Sequence, residues 1–208
     1  MSTGSGVLPR AERQPFTRLL PWLLTIGGMI GLLAAAVLTV EKIALLRNPA
    51  YIPSCSIDPI LSCGSIMRTA QAEVFGFPNP LLGIAGFAVV TTVGVAVLGG
   101  ARLPRWFWLG LQAGTLFGVL FVHWLIYQSL YVIGALCPYC MVVWAVTIPI
   151  FWYTALHNLH HGHLPAPVGS RRASTMVIKY HGVVLTLWYL AIALAVLQAF
   201  WTYWMTLL

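Results

Sequence analysis

Four cysteines are the residues of this chain best suited to chemistry, and they fall into two pairs. Cys55 and Cys63 lie eight positions apart. Cys137 and Cys140 form a Cys-Pro-Tyr-Cys sequence at the start of an apolar run. A Cys-x-x-Cys pair is a recurrent redox arrangement, because a helix N-terminus lowers the pKa of the first thiol. The two pairs predict an electron relay, in which thiol–disulfide exchange connects a mobile loop pair to a pair buried in lipid.

Other uses of four cysteines stay open at this point. They could form two structural disulfides, although a membrane bundle gains little from a disulfide that spans one helical turn. They could also bind zinc if four thiolates converged at tetrahedral distance. Attachment of haem would require a histidine after the second motif cysteine, where the chain has Met141. We expect redox chemistry and no metal.

The composition identifies lipid as the solvent of most of the chain. Of 208 residues, 60% are hydrophobic and 7% are charged, whereas soluble domains carry roughly 25% charged residues. The presence of only four carboxylates in the whole sequence argues against a carboxylate-ligated metal centre. The net charge of +7 is better explained by basic cytoplasmic loops than by a nucleic-acid partner.

Five apolar runs are long enough to cross a bilayer, which takes about 20 residues. They cover residues 19–40, 80–100, 106–133, 137–156 and 180–208. The first run is not followed by a small-x-small cleavage site, so we predict a helix rather than a signal peptide. The sequence therefore predicts an all-α integral membrane protein, with a four-helix transmembrane bundle and a fifth, peripheral transmembrane helix.

The basic residues orient these five helices. Eight of the eleven Lys and Arg residues share one side, namely Arg10, Arg13, Arg18, Arg102, Arg105, Arg171, Arg172 and Lys179. The positive-inside rule makes that side cytoplasmic. We therefore predict a cytoplasmic tail at 1–18, a catalytic bundle at 19–157 with an outer loop at 43–79, a cytoplasmic loop at 158–179 and a fifth helix at 180–208. All four cysteines then lie on the outer face, where disulfides persist.

In order and spacing, these elements resemble the vitamin K epoxide reductase family in its bacterial stand-alone form. The resemblance covers roughly residues 20–157. It rests on the pair Cys55 and Cys63, on the Cys-Pro-Tyr-Cys at 137–140, and on Phe-Pro-Asn-Pro-Leu-Leu-Gly at 77–83 before the second helix.

The resemblance implies a quinone pocket near the outer leaflet and a role for each cysteine. Cys140 would face the quinone and reduce it, Cys137 would exchange with Cys63, and Cys55 would exchange with a partner protein. Asn79 would hydrogen-bond a quinone carbonyl, although Asn before Pro could also simply start a helix. The segment 64–75 would form a short interfacial helix that caps the pocket.

Two departures from the family pattern refine the expected substrate and partner. Trp144 stands four positions after Cys140, where the animal enzymes have Tyr, so the pocket keeps a ring and loses a hydroxyl. We expect a respiratory quinone (menaquinone or ubiquinone) as acceptor, with vitamin K or quinone epoxide reduction as the alternative. The sequence stops after helix five, so we expect a separate thioredoxin-like partner at the outer face of a bacterial cytoplasmic membrane.

Several other polar or aromatic residues have structural interpretations. We expect His123 to hydrogen-bond between helices, with a proton relay as the alternative, and Gln128 to be interfacial. A histidine cluster is interpreted as a solvated helix end rather than a metal site: His157, His160, His161 and His163. Aromatic residues of the fifth helix are interpreted as lipid-facing anchors: Trp188, Phe200, Trp201, Tyr203 and Trp204.

Overall fold

The computed structural model describes residues 15–58, 60–164 and 176–207. Within these ranges the regular structure is helical, and it confirms the predicted all-α class. The basic residues Arg10, Arg13, Arg171 and Arg172, which helped to orient the chain, lie outside the described residues. The helices are α1 (Pro15–Arg47), α2 (Cys63–Met67), α3 (Pro80–Leu98), α4 (Arg105–Tyr127), α5 (Pro138–His160), α6 (His181–Ala199) and α7 (Trp201–Leu207), with a 3₁₀ turn at Ala70–Glu73 and a π-helical segment at Gln128–Ile133.

Five of these helical stretches are long and apolar enough to cross a membrane. Their ranges are Leu19–Arg47, Pro80–Leu98, Arg105–Ile133, Pro138–His160 and His181–Ala199. Each overlaps one of the five runs predicted from the sequence, with differences at the ends, and together they make the chain a multi-pass membrane protein.

Helix α1 is the centre of the bundle and packs against both α3 and α5, while α5 also packs against α4. Small residues allow the close approach of α1 and α3. A Cβ on Gly94 would lie 2.5 Å from the backbone nitrogen of Thr25, and one on Gly28 would lie 3.0 Å from that of Thr91. Contact through small residues is how helices associate in lipid. Helices α3 and α4 scarcely touch, and the space between them remains open.

Helix α1 continues beyond the predicted end at residue 40, through a charged pair, to Arg47. Glu41 and Lys42 are both buried. The prediction stopped too early because it treated these charges as the boundary of the membrane segment. Each charge has partners: Glu41 accepts hydrogen bonds from Ser54, and Lys42 forms an ion pair with Glu73.

The fifth membrane helix, α6, lies outside the bundle, as predicted, but two of its aromatic assignments were wrong. Trp188 is half-buried, and its indole nitrogen donates to Nε2 of His123 at 2.9 Å. Phe200 is buried, and the helix breaks there before α7. Both rings therefore contact the protein rather than lipid, and they dock α6 against the bundle. The expected inter-helical hydrogen bond of His123 is confirmed.

Candidate functional site

Three of the four cysteines form a sulfur cluster, consisting of Cys55, Cys63 and Cys137, at one end of the bundle. Cys55 and Cys63 are joined in a disulfide, and Cys137 and Cys140 are free thiols. The Sγ of Cys63 lies 2.7 Å from the Sγ of Cys137. Cys63 is 0% exposed and Cys137 is 1% exposed. The structure therefore brings together the two pairs that the sequence separates by 74 residues, in reach of thiol–disulfide exchange.

Backbone hydrogen bonds fix the position of this cluster. The amide of Ser62 donates to the carbonyl of Leu136 at 2.9 Å, and the amide of Leu136 donates to the carbonyl of Ile60 at 2.7 Å. Ser62 precedes Cys63 and caps α2, while Leu136 precedes Cys137, which is the N-cap residue of α5. Each reactive cysteine is thus held at a helix start by the residue before it.

The loop pair is less accessible than the sequence suggested. Cys55 is 5% exposed, whereas a mobile loop that meets a soluble protein was expected. Its neighbour Ser54 donates both its hydroxyl and its amide to the carboxylate of Glu41. Tyr51 donates to the same carboxylate, which raises the pKa of the Tyr51 phenol. The cluster is therefore closed, and Cys55 is shielded from the surroundings by this loop.

The Cys137 thiol is the acidic member of the second pair. A hydrogen bond from the Cys140 thiol, together with backbone amides at the start of α5, lowers the pKa of Cys137. This outweighs burial and the nearby Glu41 carboxylate, which act in the opposite direction. In disulfide exchange, a thiol with a lower pKa is the faster leaving group. Cys137 is thus prepared to exchange with Cys63, which lies against it.

A cavity of about 560 Å³ borders the second cysteine pair at Cys140. It runs between α3 and α4, is lined almost entirely by apolar groups, and has a size typical of small-molecule sites. Cys140, Asn79 and Trp144 all line it. The predicted quinone-binding residues are therefore gathered around one space, and Cys140 is the cysteine that borders it.

The side chain of Asn79 binds the segment 64–75, the cap of this cavity, rather than the first turn of α3. Its side-chain amide donates to the carbonyl of Gln71 at 2.7 Å, and its side-chain oxygen accepts from the amide of Val74 at 3.2 Å. Its side chain makes no capping hydrogen bond to α3, although Asn79 is the N-cap residue of that helix and Pro80 follows it. The alternative interpretation of Asn79 as a helix-start residue therefore holds for its position, and contact with a quinone carbonyl stays a prediction.

The cap is a broken segment rather than the single short helix predicted for residues 64–75. Helix α2 ends at Met67, Thr69 is extended, and a 3₁₀ turn follows at Ala70–Glu73. The break allows side chains from both halves to line the cavity: Ile66, Met67, Thr69, Gln71 and Ala72.

Sequence reasoning missed Lys42, which also lines the cavity. A charged pair beyond an apolar run was the available signal, but it was interpreted as the end of a helix. Gln128, which was expected to be interfacial, lines the cavity too. His123 instead pairs with α6.

One group of potential metal ligands is found among the described residues. The sulfur atoms of Cys55, Cys63 and Cys137 lie within 4.8 Å of one another, close enough to share an ion, although two of them are bonded together. In the histidine cluster, the tilted rings of His157 and His161 have centroids 4.1 Å apart, and the centroid of His163 lies 5.7 Å from that of His161. The expectation of no metal stays a prediction.

The comparison with known families agrees with the motif pattern. A model described as the vitamin K epoxide reductase family matches residues 22–155, a range that includes the four cysteines, Asn79 and Trp144. No curated protein matches the chain.

Proposed function

Because the chain belongs to the vitamin K epoxide reductase family, whose members are oxidoreductases, we propose that it is a quinone-dependent thiol–disulfide oxidoreductase. It takes electrons from a separate thioredoxin-like protein and passes them to a membrane quinone. The reoxidised partner then supports disulfide formation in exported proteins.

One observation carries this proposal. The loop disulfide touches Cys137, and the cysteine one helical turn further, Cys140, borders an apolar cavity. Electrons can therefore pass from a protein thiol, through two sulfur pairs, to a substrate that dissolves in lipid.

The thiol steps follow from this order of the sulfur atoms. A thiolate of the partner attacks Cys55, and the disulfide between Cys55 and Cys63 breaks. The released Cys63 thiolate attacks Cys137 in a disulfide between Cys137 and Cys140, so that Cys140 leaves as a thiolate. The second thiol of the partner then attacks the partner's own sulfur in the mixed disulfide, so that the oxidised partner leaves and Cys55 is released as a thiolate. This Cys55 thiolate attacks Cys63 in the disulfide between Cys63 and Cys137 and displaces Cys137, which restores the loop disulfide and leaves the second pair reduced. The structure, with an oxidised loop pair and free Cys137 and Cys140, corresponds to this stage.

The shape of the cavity supports a quinone with a long apolar tail, such as menaquinone or ubiquinone. The cavity extends from Cys140 along the gap between α3 and α4 as far as Trp106. Glycines line this gap, and a Cβ at Gly86, Gly110 or Gly114 would meet no atom within 4 Å. Open, apolar space between two membrane helices suits an isoprenoid chain better than a polar substrate.

The proposed setting is the bacterial cytoplasmic membrane, with the cysteine end of the bundle at the outer face. The excess of basic residues at the other end supports this orientation. Disulfide exchange with exported proteins also requires an oxidising compartment.

Trapping of a mixed disulfide tests the proposed partner. In Cys63→Ser, the free Cys55 thiolate can attack the disulfide of an oxidised thioredoxin-like protein, and because no Cys63 is left to displace that protein, the mixed disulfide should accumulate. Non-reducing electrophoresis and mass spectrometry should find an adduct through Cys55 with a protein from outside the cytoplasm. The double variant Cys55→Ser, Cys63→Ser is the matched control and should give no adduct.

A second assay separates the proposed function from epoxide reduction. Purified protein with a dithiol donor should convert a quinone to quinol, and a quinone epoxide is offered in parallel. Turnover of the epoxide alone, or an adduct that forms equally well in the double variant, would contradict the proposed function.

A further inference from the structure

Lys42 is a buried ammonium group that the thiol relay does not use. It is 6% exposed and lies on α1, beneath the cap. Among the described residues that line the cavity, it is the one with a charged side chain. A charge at membrane depth is costly and usually serves a function, because desolvation of the ion must be offset.

The contacts of Lys42 connect the cavity to the protein surface. Its Nζ donates to the carbonyl of Met67 at 2.6 Å and lies 2.9 Å from Oε1 of Glu73. An ammonium group has three N–H donors, so these two acceptors leave one donor for another group. The side chain of Glu73 is 37% exposed, so the ion pair joins a buried cation to an acid that water can reach.

Reduction of a quinone creates a need for protons at this place. A quinone becomes a quinol when it gains two electrons and two protons, and the Cys137 and Cys140 pair supplies both electrons as it forms a disulfide. Because a cysteine reacts as its thiolate, the pair has lost one of its two protons when it reacts, and it supplies only one. An apolar cavity offers few groups that can supply the second.

We propose that Lys42 donates the second proton to the quinone oxygen and that Glu73 returns a proton to Lys42 from the water outside. The proposal rests on the proposed quinone reduction. In the balanced reaction, the cysteine pair (one thiolate and one thiol), the quinone and the Lys42 ammonium give a disulfide, a quinol and the Lys42 amine. The amine then regains its proton through Glu73. Before transfer, the ammonium also stabilises negative charge that develops on the quinone oxygen.

A purely structural role is the competing explanation, because the same ion pair ties the cap to α1. Lys42→Arg separates the two roles. A guanidinium group keeps the charge and the pairing with Glu73, yet it does not give up its proton. A lysine that only holds the cap would be replaced by arginine without loss of rate.

The experiment measures steady-state quinone reduction by the purified full chain with a dithiol donor, for wild type, Lys42→Arg and Lys42→Met. We expect kcat to fall about 100-fold in both variants, which is the scale of a lost proton donor. The KM for quinone in Lys42→Arg and the exchange of the loop disulfide with external thiols should stay at the wild-type level. A wild-type kcat in Lys42→Arg would overturn the proposal.

A second variant decides the question if Lys42→Arg does not fold, as judged by its thermal unfolding. Glu73→Gln leaves the lysine and a hydrogen-bond acceptor in place but cannot carry a proton. We expect kcat to fall about tenfold, with a larger solvent deuterium isotope effect than in wild type. Unchanged kcat and isotope effect in Glu73→Gln would overturn the proposal. A wild-type protein that reduces no quinone would instead contradict the proposed function itself.

Discussion

The sulfur cluster contains Cys137, whereas the cavity is bordered by Cys140, and the two regions differ in nearly every physical respect. The cluster is closed, with Cys63 and Cys137 fully buried and backbone hydrogen bonds around them. The cavity is open between α3 and α4 and has almost no polar lining. Hydrogen bonds hold the sulfur cluster in position, whereas glycines, which have no side chain, leave the space of the cavity open.

This difference shows how one short motif can serve two kinds of substrate. Disulfide exchange needs sulfur atoms aligned at close range, which a hydrogen-bonded cluster provides. A lipid-soluble quinone needs apolar volume and a small number of polar groups, which the cavity provides. Cys137 belongs to the first region and Cys140 to the second, and the single turn between them joins the two.

The largest expected effect comes from removing the residue that joins the regions. Cys140→Ser should lower the rate of quinone reduction by at least roughly 10³-fold, because the group that attacks the quinone is lost. Exchange of the loop disulfide with an external thiol should continue. The two rates are measured by quinone absorbance and by thiol labelling. Equal loss of both rates would show that the two regions do not act separately.

Filling the cavity should give the next largest effect. In Gly114→Leu the new side chain enters open space, because a Cβ at this position would meet no atom within 4 Å. We expect the KM for a long-chain quinone to rise about tenfold, or about 1.4 kcal/mol, with little change for a short-chain analogue.

Gly182→Leu is the matched control, because its Cβ also meets open space but lies on α6, away from the cavity. It should leave both KM values unchanged. If Gly114→Leu affected short and long quinones alike, the gap between α3 and α4 would not hold the tail.

Opening the loop that closes the sulfur cluster should give a smaller effect, which is a faster exchange of Cys55 rather than a loss of activity. Ser54→Ala removes the hydrogen bond of the Ser54 hydroxyl to Glu41, which helps to keep Cys55 closed. This bond is only partly buried and the Ser54 amide keeps its own contact with Glu41, so we take about 0.5–1.5 kcal/mol for its loss and expect exchange of Cys55 with an external thiol to rise by about fivefold. A slower exchange would show that the closed loop is the reactive form.

The smallest effect is a displacement of a pH profile at Cys137. Its pKa is lowered chiefly by the Cys140 thiol, so the thiolate should persist below the usual range of a cysteine. In Cys140→Ala the pKa should rise, and the alkylation of Cys137 should need a higher pH. Mass spectrometry after treatment with a small methylating reagent gives the two profiles. Identical pH profiles in wild type and Cys140→Ala would show that Cys140 does not lower the pKa of Cys137.

The sequence predicted the five spans and the grouping of the four cysteines, because apolar length and cysteine spacing are local properties. It did not predict that α1 continues to Arg47, since only distant partners explain how Glu41 and Lys42 can be buried. Nor could it show that Trp188 faces His123, because an aromatic residue in a membrane helix has the same pattern whether it faces lipid or protein.

Cys55 shows that prediction from the sequence has the same limit at the functional site. Its place in a long loop between helices indicated mobility, but contacts with residues far along the chain bury it. The cap likewise breaks at Thr69, where helical spacing alone predicted continuity.

A single-turnover experiment tests the central claim most directly. Protein with an oxidised loop pair and a reduced Cys137 and Cys140 pair is mixed anaerobically with one equivalent of quinone, and the free thiols are then labelled and identified by mass spectrometry. The account predicts one quinol for each protein, loss of labelling at Cys137 and Cys140, and an unchanged disulfide between Cys55 and Cys63. Quinol formed while Cys137 and Cys140 remain labelled would contradict it.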